Sequence, residues 1–132
     1  MDRSRVVVAI LWASPWTCFG LLVGAFGLLT GGSVQRTGRV IEFWGGGAAW
    51  FLATFPLISG AAAVTFGHTV LARCKITLVQ TRAHERVHVR QYERWGPLFV
   101  PAYLYYWVRL RLAGKHPYFD NPFEQEAYAE AP

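Results

Sequence analysis

The longest feature of the hydropathy pattern is an apolar stretch near the N-terminus, over residues 6–29. Only Ser14, Thr17 and small residues interrupt its large apolar side chains. An α-helix rises about 1.5 Å per residue, so a helix of this length spans the ~30 Å hydrocarbon core of a bilayer. The pattern therefore predicts an N-terminal transmembrane helix, with residues 1–32 as a membrane anchor and residues 33–132 as a separate domain.

A cleaved signal peptide is the alternative interpretation of this stretch. The apolar region of a signal peptide is usually about 7–15 residues long and precedes a small-residue cleavage site. This stretch is longer, and the Thr-Gly-Gly-Ser sequence that follows it contains no such site. Gly20 and Gly24 have the spacing at which two helices pack closely. These observations favour a retained helix.

After residue 33 the pattern changes to shorter elements with both helical and strand periodicity. Short strands are predicted over residues 38–44 and 61–73, and a helix over residues 76–94 that Gly96 and Pro97 end. Residues 97–112 form a strongly aromatic helix typical of a membrane surface. Residues 48–58 are interpreted as an interfacial or re-entrant segment, with a full second span over residues 45–64 as the alternative. The prediction is an α+β fold with a two- or three-stranded sheet.

Composition and charge support a membrane-associated chain. Charged residues make up 16% of the sequence and hydrophobic residues 53%, whereas soluble domains contain about 25% charged residues. The net charge is +5, but the basic residues are scattered and no nucleic-acid-binding motif accompanies them. We therefore expect membrane lipid rather than nucleic acid as a partner. Arginines flank the apolar stretch on both sides, so they do not predict which end of the helix faces the cytoplasm.

One motif in the predicted helix over residues 76–94 carries candidate chemistry. His84 and His88 are four residues apart, which places both imidazoles on one helix face, one turn apart. Glu85 lies about 100° around the helix from His84, where its carboxylate can reach a water on the metal. This is the HExxH arrangement, in which the histidines bind Zn²⁺ and the glutamate acts as general base. The alternative is a surface helix with two exposed histidines.

A zinc site of this kind needs a third ligand from elsewhere in the chain. Glu124 and Glu126 are the best candidates, early in a final helix that Asn121 can cap and that has Pro122 at its first position. His116 is a weaker candidate in a loop. The alternative for both glutamates is an acidic first turn that the helix dipole favours.

HExxH followed by a glutamate-bearing helix resembles the gluzincin branch of zinc metallopeptidases. In several membrane members this helix reads Glu-x-x-Ala-Asp, and aligning Ala127 implies that Glu124 is the third ligand. Tyr128 stands where that pattern has Asp. The strings at residues 84–97, 101–103 and 120–124 also resemble small uncharacterised bacterial membrane proteins. The resemblance implies a zincin-like domain at the bacterial inner membrane, with Zn²⁺ on His84, His88 and Glu124.

Two further side chains could support this site. Gln91 is seven residues beyond His84 and returns to the same helix face, where it could hold a ligand in place. His68 could face the site and stabilise an oxyanion, or it could be a hydrogen-bonded core histidine. Arg90, Glu93 and Arg94 are interpreted as surface ion pairs.

Two functions follow from these predictions. The first is a membrane-anchored zinc hydrolase, metallopeptidase-like, that acts on a peptide or protein substrate with Glu85 as its base. The second is a non-catalytic accessory subunit of a larger membrane complex, whose metal site is structural or degenerate. A structural zinc site normally has four protein ligands, whereas a catalytic site has three and an open position.

Overall fold

The computed structural model describes residues 2–55 and 61–131. Within these residues the chain forms five α-helices, four strands and a short 3₁₀ turn at Gly96–Leu98. The helices are α1 Arg3–Leu29, α2 Gly46–Thr54, α3 Lys75–Trp95, α4 Phe99–Leu112 and α5 Pro122–Glu130. The strands are β1 Ser33–Thr37, β2 Val40–Trp44, β3 Ala63–Phe66 and β4 Thr69–Ala72. The predicted α+β class is confirmed.

The strands form one mixed sheet in the order β1-β2-β4-β3. β2 pairs in parallel with β4, while β1 with β2 and β3 with β4 are antiparallel pairs. The expected two- or three-stranded sheet was too small, because β1 was not recognised and residues 61–73 were predicted as one strand. β1 reads Ser-Val-Gln-Arg-Thr and is partly exposed at the sheet edge, so pairing with β2 rather than apolar burial keeps it extended.

The single strand predicted over residues 61–73 is a β-hairpin. Phe66 pairs with Thr69, which leaves Gly67 and His68 as a two-residue turn. Gly67 has a φ of 60°, a conformation that glycine adopts without a steric penalty and that two-residue hairpin turns require. A Cβ at this position would overlap the Thr17 hydroxyl oxygen, so the glycine also allows close approach of α1.

The apolar segment after β2 begins as a short helix. α2 ends at Thr54, Phe55 is extended, and Ala63 already belongs to β3. The alternative of one continuous membrane-spanning helix over residues 45–64 is therefore wrong. The predicted interfacial segment over residues 48–58 falls partly outside the described residues, at 56–60.

The two faces of the sheet carry different helices. One face packs on α1 and α2 through a cluster that includes Phe43, Phe66 and Leu71. The opposite face packs on α3 through a cluster that includes Val70, Leu78 and Val89. This layering places one helix face of α3 on the sheet and leaves its other faces for α5 and for charged side chains.

A buried carboxylate links α3 to the sheet. Glu42 in β2 is fully buried, and it accepts hydrogen bonds from Gln35, Thr37 and Arg82. Arg86 lies 3.6 Å from the same carboxylate. Burial raises the pKa of Glu42, but these hydrogen bonds outweigh burial and hold the pKa below its usual value. The carboxylate is therefore ionised, and it ties the HExxH region of α3 to β2.

Helix α1 is the one described helix that is long and apolar enough to cross a membrane, by length and composition. It packs on the sheet through small residues, and its buried positions are Ala9, Ala13, Gly20, Gly24 and Gly27. Only 17% of its most apolar 18-residue window is buried. Most of its large apolar side chains therefore face away from the protein.

Candidate metal centre

Helix α3 presents the two histidines of the motif side by side. His84 and His88 lie one turn apart, with their Nε2 atoms 3.2 Å from each other and their rings nearly perpendicular. At the start of α3 the Thr77 hydroxyl oxygen accepts a hydrogen bond from the Cys74 backbone N–H and so caps the helix. The helix ends before Gly96, whose φ is 58°. The predicted helix and the shared face of the two imidazoles are both confirmed.

Helix α5 brings a carboxylate to the same point. The Asn121 side chain accepts a hydrogen bond from the Phe123 backbone N–H and so caps the helix, as its sequence predicts. The Oε1 atom of Glu124 lies 3.0 Å from His84 Nε2 and 2.8 Å from His88 Nε2. His84, His88 and Glu124 therefore form a cluster that could hold a metal ion.

The structure distinguishes between the two candidate glutamates. Glu126 faces away from the cluster and accepts hydrogen bonds from Gln91 and Arg94. Glu124 is 4% exposed, and its second oxygen accepts a hydrogen bond of 2.9 Å from the Tyr103 hydroxyl in α4. Tyr103 therefore orients the Glu124 carboxylate so that Oε1 faces the histidines.

The spacing of the three atoms fits a small divalent cation. Zinc bonds of 2.0–2.1 Å in tetrahedral geometry place neighbouring ligand atoms about 3.3 Å apart. The observed separations are 2.8, 3.0 and 3.2 Å, so shifts of a few tenths of an ångström would accommodate the ion. Two imidazoles and one carboxylate form a donor set that zinc accepts, though other first-row metals bind imidazole as well.

Gln91 fixes the tautomer of one histidine of the cluster, in the position that its sequence spacing predicts. The Gln91 amide nitrogen donates to the Phe123 carbonyl and to Glu126, both at 2.9 Å. Its oxygen must therefore be the atom 2.7 Å from His88 Nδ1, which makes Nδ1 the donor. With Nδ1 protonated, Nε2 is the nitrogen of neutral His88 that can bind a metal.

The cluster is electrostatically coupled. Burial lowers the pKa of His88, but the hydrogen bond and charge of Glu124 outweigh this and raise the pKa to about 9. Burial raises the pKa of Glu124, but hydrogen bonds from His84 and His88 lower the pKa to about 2. Since a metal ligand must be a neutral imidazole, metal binding at neutral pH would release the Nε2 proton of His88.

Glu85 lies beside the cluster but outside it. Its side chain is 6% exposed, and its Oε2 atom accepts a hydrogen bond of 2.6 Å from the Thr65 hydroxyl in β3. Glu85 lines the same cavity as His84 and His88. Thr65 therefore holds the Glu85 carboxylate in the cavity that His84 and His88 also line.

His84, His88 and Glu124 line a large, mostly apolar cavity. The cavity has a volume of about 830 Å³ and its walls are mostly apolar. Trp16 and Phe19 from α1 contribute to these walls, as do Leu104 and Trp107 from α4. Ligand cavities are commonly about 300–1,000 Å³ with a few convergent polar groups, so this cavity has the size and lining of a binding site.

The other candidate histidines lie elsewhere. His68 Nε2 lies 2.8 Å from Glu93, away from the lining of the cavity, so the alternative of an oxyanion-stabilising His68 is wrong. His116 borders the cavity, and its Nδ1 accepts hydrogen bonds from the backbone N–H groups of Tyr118 and Phe119. Within the described residues it does not join the metal cluster.

The predicted surface ion pairs are correct in part. Arg90 pairs with Glu130 and Arg94 with Glu126, and all four side chains are exposed. The side chain of Glu93 is only 8% exposed because Arg39 and His68 cover it. Sequence analysis missed this buried pairing, since Arg39 is 54 residues from Glu93.

Sequence analysis also missed Thr65 and Tyr103 as supports of the centre. Thr65 holds Glu85, and Tyr103 holds Glu124. Thr65 gave no signal beyond strand propensity. Tyr103 lies in the Pro-Ala-Tyr string of the resemblance, which was the one available pointer to it.

Comparisons with known proteins leave the chain without an assigned relative. No protein family, curated protein or solved structure matches it.

Proposed function

We propose that this chain is a membrane-bound zinc hydrolase of metallopeptidase type. The observation that carries the proposal is the convergence of His84 Nε2, His88 Nε2 and Glu124 Oε1, with Glu85 in the same cavity. Three protein ligands leave one coordination position open, which is typical of catalytic rather than structural zinc. A bound zinc ion would lower the pKa of a water molecule and polarise a carbonyl group.

The role proposed for Glu85 is proton transfer. Its carboxylate would take the proton of the attacking water while the oxygen forms a bond to the carbonyl carbon. It would then return that proton to the leaving amine as the C–N bond breaks. Thr65 donates to Oε2 of Glu85, which leaves Oε1 to accept the proton. Burial of Glu85 keeps bulk water from competing for it.

The edge of the sheet supports a peptide as the substrate. The Arg73 N–H donates to the Ala62 carbonyl, and hydrogen-bonded pairs alternate along an antiparallel ladder. Ala63 and Thr65 in β3 therefore direct their backbone groups away from β4, on the edge beside the cavity. The Thr65 carbonyl already accepts a hydrogen bond from the buried Tyr92 hydroxyl, so Ala63 is the residue whose carbonyl and N–H would pair with a peptide. An extended peptide could pair with this edge and bring its amide bond to the metal cluster. The apolar walls favour large apolar side chains in that peptide.

The experiment that tests this proposal is removal and return of zinc. Full-length protein in detergent, incubated with a library of quenched fluorogenic peptides, should cleave those with large apolar residues. Chelation should abolish cleavage and added Zn²⁺ should restore it. The bound metal ion activates the water molecule, and the His-His-Glu side chains cannot do so without it. A zinc-loaded protein that cleaves no peptide would contradict the proposal and favour the accessory-subunit alternative.

A further inference from the structure

Helix α1 contacts the rest of the protein along nearly its whole length. Its buried positions run from Ala9 to Gly27, a distance of about 27 Å along the helix axis. A Cβ on Gly20 would clash with Thr69, and one on Gly24 with the ring of Phe43. Because the hydrocarbon core is about 30 Å thick, a crossing α1 would place the sheet beside it at membrane depth.

Charged groups lie at the level of the middle of α1. The Thr17 hydroxyl accepts the His68 backbone N–H at 2.9 Å. His68 Nε2 lies 2.8 Å from Glu93, which also pairs with Arg39. The Arg39 side chain is 38% exposed. In a crossing arrangement this arginine would be exposed near the centre of the bilayer, where charged side chains are costly.

More charge lies on the opposite face of the sheet from α1. Phe43 packs against Gly24, and its neighbour Glu42 binds Arg82 and lies close to Arg86. The side chains of Arg82 and Arg86 are 32% and 27% exposed. A crossing α1 would bring these guanidinium groups to the depth of its C-terminal half. The polar side of the domain and the exposed apolar side of α1 therefore lie on opposite sides of the helix axis, not at its two ends.

Both ends of α1 carry exposed arginines. Arg3 and Arg5 lie in its first turn, and Arg36 follows shortly after its last residue; all three are exposed. A crossing helix usually has an excess of Lys and Arg at one end. Positive charge at both ends suits a helix whose two ends meet the same layer of anionic headgroups.

From this arrangement we propose that α1 does not cross the bilayer but lies in the plane of one leaflet. Its exposed apolar side chains bind the acyl region of an anionic membrane, while the sheet and α3 face the water. A helix about 10 Å wide fits within one leaflet of about 15 Å. Trp16 and Phe19 then line the cavity from the lipid side, so the metal cluster lies close to the membrane surface.

The test is the side of the membrane on which each end of α1 lies. Ser4→Cys and Ser33→Cys are made separately in a Cys18→Ser, Cys74→Ser background. Ser4 and Ser33 are exposed and flank α1, and each change replaces one oxygen by sulfur. A membrane-impermeant maleimide is applied to intact spheroplasts and to inverted vesicles of cells that express the full chain.

We expect both variants to be labelled in the same preparation and protected in the other, with a labelling ratio of at least about tenfold between preparations. Labelling of one variant in spheroplasts and of the other in inverted vesicles would overturn the proposal, because α1 would then cross the bilayer. Detergent-permeabilised membranes, in which both variants must be labelled, provide the control for thiol accessibility. The result is independent of hydrolysis, so the topology and the proposed function can fail separately.

Discussion

Replacing Glu85 with glutamine is expected to lower peptide hydrolysis by a factor of about 10²–10⁴ and to leave bound zinc at the wild-type level. The amide cannot accept the water proton, so the base is lost. The metal cluster is unaffected, because Glu85 is not one of its three members. The glutamine side chain of the variant can still accept the hydrogen bond of the Thr65 hydroxyl through its amide oxygen, so the fold is retained.

Glu130→Gln is the matched control for this substitution. It is the same chemical change at an exposed position, where the Glu130 side chain pairs with the exposed Arg90. Such a pair contributes about 0–1 kcal/mol, so both zinc content and hydrolysis should equal those of the wild type. If Glu85→Gln hydrolyses peptide at the wild-type rate, Glu85 is not the base and the proposed role of the motif is wrong.

The second large effect is expected at Glu124, the proposed third ligand. Glu124→Gln should weaken zinc binding more than about 100-fold, since the loss of a residue that merely supports a ligand already costs about 10–100-fold. Glu126→Gln should bind zinc like the wild type, because Glu126 contacts Gln91 and Arg94 instead. Competition with a zinc chelator of known affinity measures both variants.

This pair of variants compares the same substitution two residues apart on one short helix. Equal weakening in both would indicate that loss of acidic charge near α5, rather than one ligand, controls metal affinity. Normal zinc binding by Glu124→Gln together with weak binding by Glu126→Gln would reverse the assignment. Thermal unfolding of each zinc-free variant should show that neither substitution disrupts α5.

The parts of the fold that depend on local chemistry were predictable from the sequence. The apolar run predicted α1, and the helical spacing of His84 and His88 predicted their common face. Gly96 has the positive φ that ends α3, and Asn121 supplies the side-chain cap that begins α5. Each of these features is determined by residues within about one or two helical turns.

The remaining features depend on contacts between distant residues. β1 has little hydrophobicity of its own and exists through its pairing with β2. Glu42 and Arg82 are 40 residues apart, and no local pattern marks them as partners. Glu124 and Glu126 lie about 200° apart around α5, so only one can face the histidines. Which one does so is decided by the packing of α5 on α3, which the sequence spacing does not reveal.

The most direct test of the central claim is the zinc K-edge X-ray absorption spectrum of the full-length protein loaded with one equivalent of Zn²⁺. We expect two imidazole nitrogens together with oxygen ligands, all at about 2.0–2.2 Å, and no sulfur. The chain has two cysteines, Cys18 and Cys74, which are both free and exposed. A sulfur shell at about 2.3 Å, or fewer than two imidazoles, would show that zinc binds elsewhere than on His84, His88 and Glu124.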